Sequence, residues 1–119
     1  MAYQNVKGIK RIINAMFFSF AGFKATWQHE EAFRQEVLLF LITTPVALWL
    51  DRSPVETLLM IGSMILVLLV ELLNSAVEAV VDRVGLEHHE LSGRAKDIGS
   101  AAVMLSLVWA AITWAVILL

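Results

Sequence analysis

From Ile98 to Leu119 the chain runs for 22 residues without a charged side chain. A helix of that length rises about 33 Å, enough to cross a hydrocarbon core about 30 Å thick. A chain of 119 residues has little other structure with which to cover such a helix on all sides, so lipid is the expected solvent. Composition agrees, with 59% of residues hydrophobic and a mean hydropathy of +0.74, above the usual apolar share of a soluble domain.

Two earlier runs belong to the same pattern. Val55 through Val70 is an apolar run with a single charge, Glu56. Val37–Leu50 is apolar but only 14 residues long, about 21 Å, which is short of a full span. That span must therefore recruit Ala32 and Phe33, bringing Arg34 and Glu36 to the boundary, where arginine snorkels. Pro45 lies inside it, which membrane helices tolerate. Asp51-Arg52-Ser53-Pro54 reads as a tight turn, with Ser53 as helix cap and Pro54 in the first helical position. The helix that follows is expected over 54–84, about 45 Å, so its end with Asp82 and Arg83 must emerge into water. Gly85 is its expected stop. Residues 86–97 (LEHHELSGRAKD) are expected as a polar loop or broken helix, and 98–119 as the third span. Gly99, Ala101, Ala102, Ala110 and Ala111 on that span allow close helix approach.

Upstream, Ile9, Ile12, Ile13, Met16, Phe17 and Phe20 follow helical spacing beside Lys7, Lys10, Arg11 and Lys24. Such a stripe suits a helix over about 4–27 lying in the headgroup region. The expected fold is an all-α membrane protein of one domain over 1–119: an N-terminal amphipathic surface helix and three transmembrane helices, spanning about 32–50, 54–84 and 98–119. No cleavable signal peptide is legible. With no cysteine, disulfides, thiolate chemistry and cysteine metal sites are excluded. The net charge of −2 says little, because the distribution of charge orients a membrane protein. Eight lysines and arginines precede the first span or separate the second and third, and only Arg52 lies on the other side. This places the N-terminus and the 85–97 segment in the cytoplasm.

At the cytoplasmic end of the long helix the apolar pattern breaks on one face. Polar residues at 71, 74, 75, 78 and 82 fall at roughly 0°, 300°, 40°, 340° and 20° around its axis. A lone intramembrane acid is commonly neutralised by a cation on a neighbouring helix. Few cations lie in these apolar segments, so Glu71, Asn74, Glu78 and Asp82 read together as a site. Glu71 and Glu78 are separated by about 10.5 Å along the axis, too far to share a proton. Glu71 lies deeper, where a carboxylate deprived of water is a better proton acceptor and suits a general base. Glu78, with Glu30 or Glu31, offers oxygen ligands to Mg²⁺, which takes carboxylates together with phosphate oxygens and water. Arg94, Lys96 and Asp97 read as phosphate partners beside such an ion. His88-His89 is a weaker metal signal. No Gly-rich nucleotide loop and no protein-kinase motif occurs, so nucleotide handling would lie outside the common folds.

The blocks Glu71-Leu-Leu-Asn-Ser-Ala-Val-Glu78-Ala-Val-Val-Asp82-Arg and Glu90-Leu-Ser-Gly-Arg-Ala-Lys-Asp97-Ile-Gly-Ser-Ala-Ala closely resemble the prokaryotic membrane-integral diacylglycerol kinases. Trp27 and Ala32-Phe-Arg-Gln-Glu36 fit as well, and the undecaprenol kinases are the related branch. The resemblance implies a homotrimer in the bacterial inner membrane that transfers phosphate from MgATP to diacylglycerol, giving phosphatidic acid. It implies Glu71 as the base, supported by Asn74, with Glu30 and Glu78 holding Mg²⁺. Arg11, Phe18, Glu87, His88, His89, Lys96 and Asp97 would join those two acids around ATP. Lipid contacts would fall on Arg11, on Ala15, Met16, Phe17, Phe18, Ser19 and Phe20, and on Lys24 and Trp27. Ala32, Phe33, Arg34, Gln35 and Glu36, then Trp49, Leu50, Asp51 and Arg52, and finally Glu71 and Ser100 complete that set. Phe18 and His88 stand where the family is expected to carry tyrosines; Phe18 can stack on adenine but lacks the hydroxyl. Three helices cannot enclose a polar pocket alone, and oligomerisation would supply the missing walls. The competing reading is a small proton-coupled transporter. Such a carrier has no need of the Arg94/Lys96/Asp97 cluster or of a carboxylate at 30.

Overall fold

The structure, a computed structural model, describes residues 7–119 as four helices with no strand among them. They are α1 (Gly8–His29), α2 (Glu31–Trp49), α3 (Pro54–Val84) and α4 (Glu90–Leu118). The onset of the first helix expected at 4–6 lies outside the described residues. Helices α2, α3 and α4 are each long and apolar enough to cross a membrane.

Their ends follow from local chemistry. The Ser53 side chain accepts from the Glu56 N–H at 3.2 Å, and Glu56 Oε1 accepts from the Ser53 N–H at 3.3 Å. This reciprocal cap, with Pro54 next to it, explains the one charge at the head of the apolar run. Asp51 turns the preceding corner with φ +53°, a left-handed conformation that aspartate tolerates better than most residues. Glu30 is the only residue between α1 and α2, extended at φ −119° and ψ 107°.

The segment 86–97 departs from expectation. Only 85–89 is non-helical, and α4 begins at Glu90, eight residues before the apolar stretch. His89 Nδ1 accepts from the Leu91 N–H at 3.1 Å and so caps the helix. Polarity of the segment is no break in the helix, which runs unbroken from Glu90 into the apolar stretch.

Helices α3 and α4 form the most extensive contact, α2 packs on α3, and α1 touches α2 and α3 only lightly. The small core comprises Met64 and Val67 of α3 and Ala110 of α4, with Phe40 and Trp114 against it. Trp114 donates its indole N–H to the Met60 carbonyl at 3.1 Å, tying α4 to α3. No residue of α1 is buried.

Candidate functional site

Glu71 lies 17 positions into α3, about 26 Å from its start, and is only 3% exposed. Helix α2 brings Glu36, also buried, so that the two carboxyls face each other within hydrogen-bonding reach. Glu36 Oε2 has no partner. This pairing was not legible in the sequence, where Glu36 reads as a boundary residue. One turn beyond Glu71, Asn74 Nδ2 donates to Glu71 Oε2 at 3.4 Å and to Glu78 Oε1 at 3.3 Å. The two hydrogens of one amide thus span two acids that are too far apart to meet directly.

The third acid comes from the joint between α1 and α2. The break at Glu30 places its carboxyl within electrostatic reach of Glu78 and Glu71. Burial, then the Glu78 charge and then the Glu71 charge push the Glu30 carboxyl above its ordinary value. Ser75 and His29 oppose that rise. The Ser75 hydroxyl does so from close by without completing a hydrogen bond of good geometry. Of the two candidates for a ligand beside Glu78, Glu30 faces the site, whereas Glu31 is exposed on the first turn of α2. Arg34 braces the joint, donating from Nη1 to the Trp27 carbonyl at 2.6 Å and more weakly to that of Gln28 at 3.4 Å. Its head thereby occupies orphan carbonyls at the end of α1.

Residue types here suit a hard divalent cation. Glu30 and Glu78 repel each other, and no cation pairs with either among the described residues. No group of three or more His, Asp or Glu is arranged to hold a metal among the described residues. Two carboxylates completed by phosphate oxygens and water fit Mg²⁺, which rarely uses an all-protein cage.

A cleft of about 530 Å³ opens between α1 and α3 beside Glu30, within the range of small-molecule sites. Its walls include Gly22, Phe23, Thr26 and His29 of α1 and Leu72, Ser75, Ala76 and Ala79 of α3. Among these, only Ser75 carried a signal in the sequence, through its place on the polar face. Arg11, Ala15, Phe18 and Ser19 line a second cleft on α1.

Past the acids, α3 and α4 continue side by side. Lys96 Nζ lies 2.8 Å from Asp82 Oδ1, each side chain about half exposed. Arg94 and Asp97 are exposed nearby on the same first turns of α4. Glu87 and His88 are exposed in the connecting segment, the Glu87 carboxylate folding back towards Gly85. The structure does not bring Trp49, Leu50, Asp51 and Arg52 near Glu71. They sit at the far end of the bundle, more than about 20 Å away along α3, and Ser100 is exposed on α4.

Three helices long and apolar enough for a bilayer, with buried acids gathered on the second of them and its neighbours, are those of a small helical membrane protein. A family profile described as prokaryotic diacylglycerol kinase matches residues 17–118. Curated relatives named diacylglycerol kinase agree. That of Pseudomonas aeruginosa PAO1 is 54% identical over 117 residues, 98% of this chain and 95% of the relative. That of Escherichia coli K12 is 52% identical over 114 residues, covering 96% and 93%. A more distant one from Helicobacter pylori J99 is 40% identical over 108 residues, covering 91% and 84%. The chain belongs to the prokaryotic diacylglycerol kinase family.

Proposed function

We propose that this chain is an ATP-dependent lipid kinase that phosphorylates 1,2-diacylglycerol to phosphatidic acid at the cytoplasmic face of the bacterial inner membrane. Family membership supports the reaction. The observation that carries it in the molecule is a buried Glu71 joined through Asn74 to Glu78, with Glu30 alongside.

Diacylglycerol arrives from the lipid side and ATP from the water, so the reacting atoms must meet at the boundary that Glu71 and Glu78 straddle. Glu71 is the base: as the lipid hydroxyl oxygen bonds to the γ-phosphorus, its proton passes to the Glu71 carboxylate. The bond between that phosphorus and the β–γ bridging oxygen breaks, and ADP leaves. Asn74 fixes the direction of the Glu71 carboxylate and keeps it in register with Glu78. Glu30 and Glu78 would hold Mg²⁺, which would supply charge neutralisation on the phosphate oxygens. Lys96 exchanges Asp82 for a phosphate group, and Arg11, Phe18, Glu87, His88, His89 and Asp97 flank the nucleotide. Helix α1 lies on the cytoplasmic surface as an amphipathic helix, with Met16, Phe17 and Phe20 in the headgroup region. Lys24, Trp27 and the start of α2 at Ala32, Phe33 and Gln35 border the lipid there. The far-end residues Trp49–Arg52 lie at the opposite water boundary, where they border the lipid of the other leaflet. The molecule works as a homotrimer, because one chain leaves the site open on several sides.

The test is ADP release by purified protein in detergent with MgATP, with and without diacylglycerol. Turnover that depends on diacylglycerol supports the assignment. Turnover only with a long-chain polyprenol assigns the related lipid-alcohol branch, and no lipid-dependent turnover overturns the kinase reading.

A further inference from the structure

We propose that Gly99 is a positioning residue of the site: the bare backbone of α4 at this point sets the rotamer of Asn74, and through it the register of Glu71 and Glu78. The inference rests on the reading of those acids as reacting and ligating groups. Only one end of the Asn74 amide is held by hydrogen bonds, since Nδ2 reaches both carboxylates while Oδ1 is buried without a partner. That free end points at α4. A Cβ on Gly99 would collide with Asn74 Oδ1 and lie 3.1 Å from its Cγ. The carbonyl oxygen is therefore confined by a Cα that offers only hydrogen, the geometry of a weak C–H···O contact.

The glycine is not explained by its own helix. It lies well inside α4, where alanine would favour the helix more. Gly62 and Gly93, also helical, have nothing within 4 Å of an added Cβ. At Gly99 alone among the helical glycines would a methyl group strike a side chain. Beside the contact, Val70, Leu73 and Val77 of α3 and Ala95, Ile98 and Ala102 of α4 line an apolar cleft of about 450 Å³, whose side chains offer the oxygen no hydrogen-bond donor. With the contact in place, the amide is held from behind and its two N–H bonds aim along α3. A methyl at 99 forces the amide to rotate and carries Nδ2 away from the acids.

The experiment is a double-mutant cycle of Gly99→Ala with Asn74→Ala, following kcat and KM, with the Asn74 side-chain amide resonances of labelled, ligand-free protein. We expect Gly99→Ala to lower kcat about 100-fold, the scale of an ångström-sized misplacement, with KM for lipid changed less than about 3-fold. The Asn74 resonances should move. With Asn74 already truncated there is nothing to strike, so adding Gly99→Ala should cost less than about 3-fold more. If Gly99→Ala fails to fold, restored folding in the double variant supports the contact, and failure of both overturns it. Equal losses in the two backgrounds, or unmoved amide resonances, also overturn it. Glu71→Gln assayed in parallel separates the two claims. An active Glu71→Gln enzyme with a non-additive cycle rejects the base while keeping the Gly99 contact, and an additive cycle rejects only the contact.

Discussion

Among single residues, Glu71 carries the sharpest expectation. A buried carboxylate used as a general base contributes about 10²–10⁴-fold. Glu71→Gln keeps the shape and the Asn74 contact, so turnover should fall by that factor while the protein stays folded and still binds nucleotide. Retention of a third of wild-type turnover would remove Glu71 from this role. Glu30 gives a prediction in pH. Its carboxyl is pushed up by burial and by Glu78 and Glu71, so the folded state binds its proton more tightly than the unfolded chain does. Stability from this group is therefore greatest below the ordinary carboxylate value and declines as pH rises through the raised one. A cation on Glu30 and Glu78 relieves the same repulsion. Protection against thermal unfolding by Mg²⁺ should thus be greater at pH 7.5 than at pH 5, and Glu30→Gln should flatten the difference. Equal protection at both pH values in the unaltered protein would place the ion elsewhere.

Helix α3 joins a lipid-solvated half to a water-solvated end, and its two ends make different predictions. At the start, the Ser53–Glu56 cap satisfies backbone donors that the apolar run cannot. Ser53→Ala should cost about 1 kcal/mol in reversible unfolding and leave turnover unchanged, because the cap lies at the opposite end from Glu71. At the other end, the Lys96–Asp82 pair is half exposed, and such pairs contribute little. Asp82→Asn should therefore leave the unfolding midpoint close to that of the unaltered protein. A large fall would mean that the pair, and not apolar packing with the Trp114–Met60 bond, holds α4 to α3. The weakness of the pair also fits Lys96 for exchange onto a phosphate.

For the whole molecule, the decisive fact is how little of it is enclosed. The radius of gyration is 17.4 Å, against about 13.5 Å for a compact globule of this length. Lipid can cover most of that surface but not the carboxylates, which need water or further protein around them. Glu30 comes within electrostatic reach of Glu71 and Glu78 inside one chain, so each chain carries its own set of these acids. Mixing Glu71→Gln chains with Glu30→Gln chains under conditions where tagged subunits exchange should therefore leave verified hybrids inactive. Regained activity would show that the site is shared between chains.

What the sequence by itself determined follows from hydropathy and helical period: residence in lipid, three long apolar helices, the Ser53 cap, and one polar stripe carrying Glu71, Asn74, Glu78 and Asp82. Those features are written in consecutive residues, and solvent partition and backbone geometry read them directly. The pattern around 86–97 misled for the same reason. Polarity reports which solvent a segment meets, whereas the backbone of α4 is helical on both sides of that boundary. Only the tertiary structure decided which groups from separate helices meet. It set Glu36 against Glu71, turned Glu30 and not Glu31 inward, paired Lys96 with Asp82, and laid Gly99 on Asn74. Helix crossings and side-chain rotamers fix such encounters, and neither leaves a periodic trace along the chain.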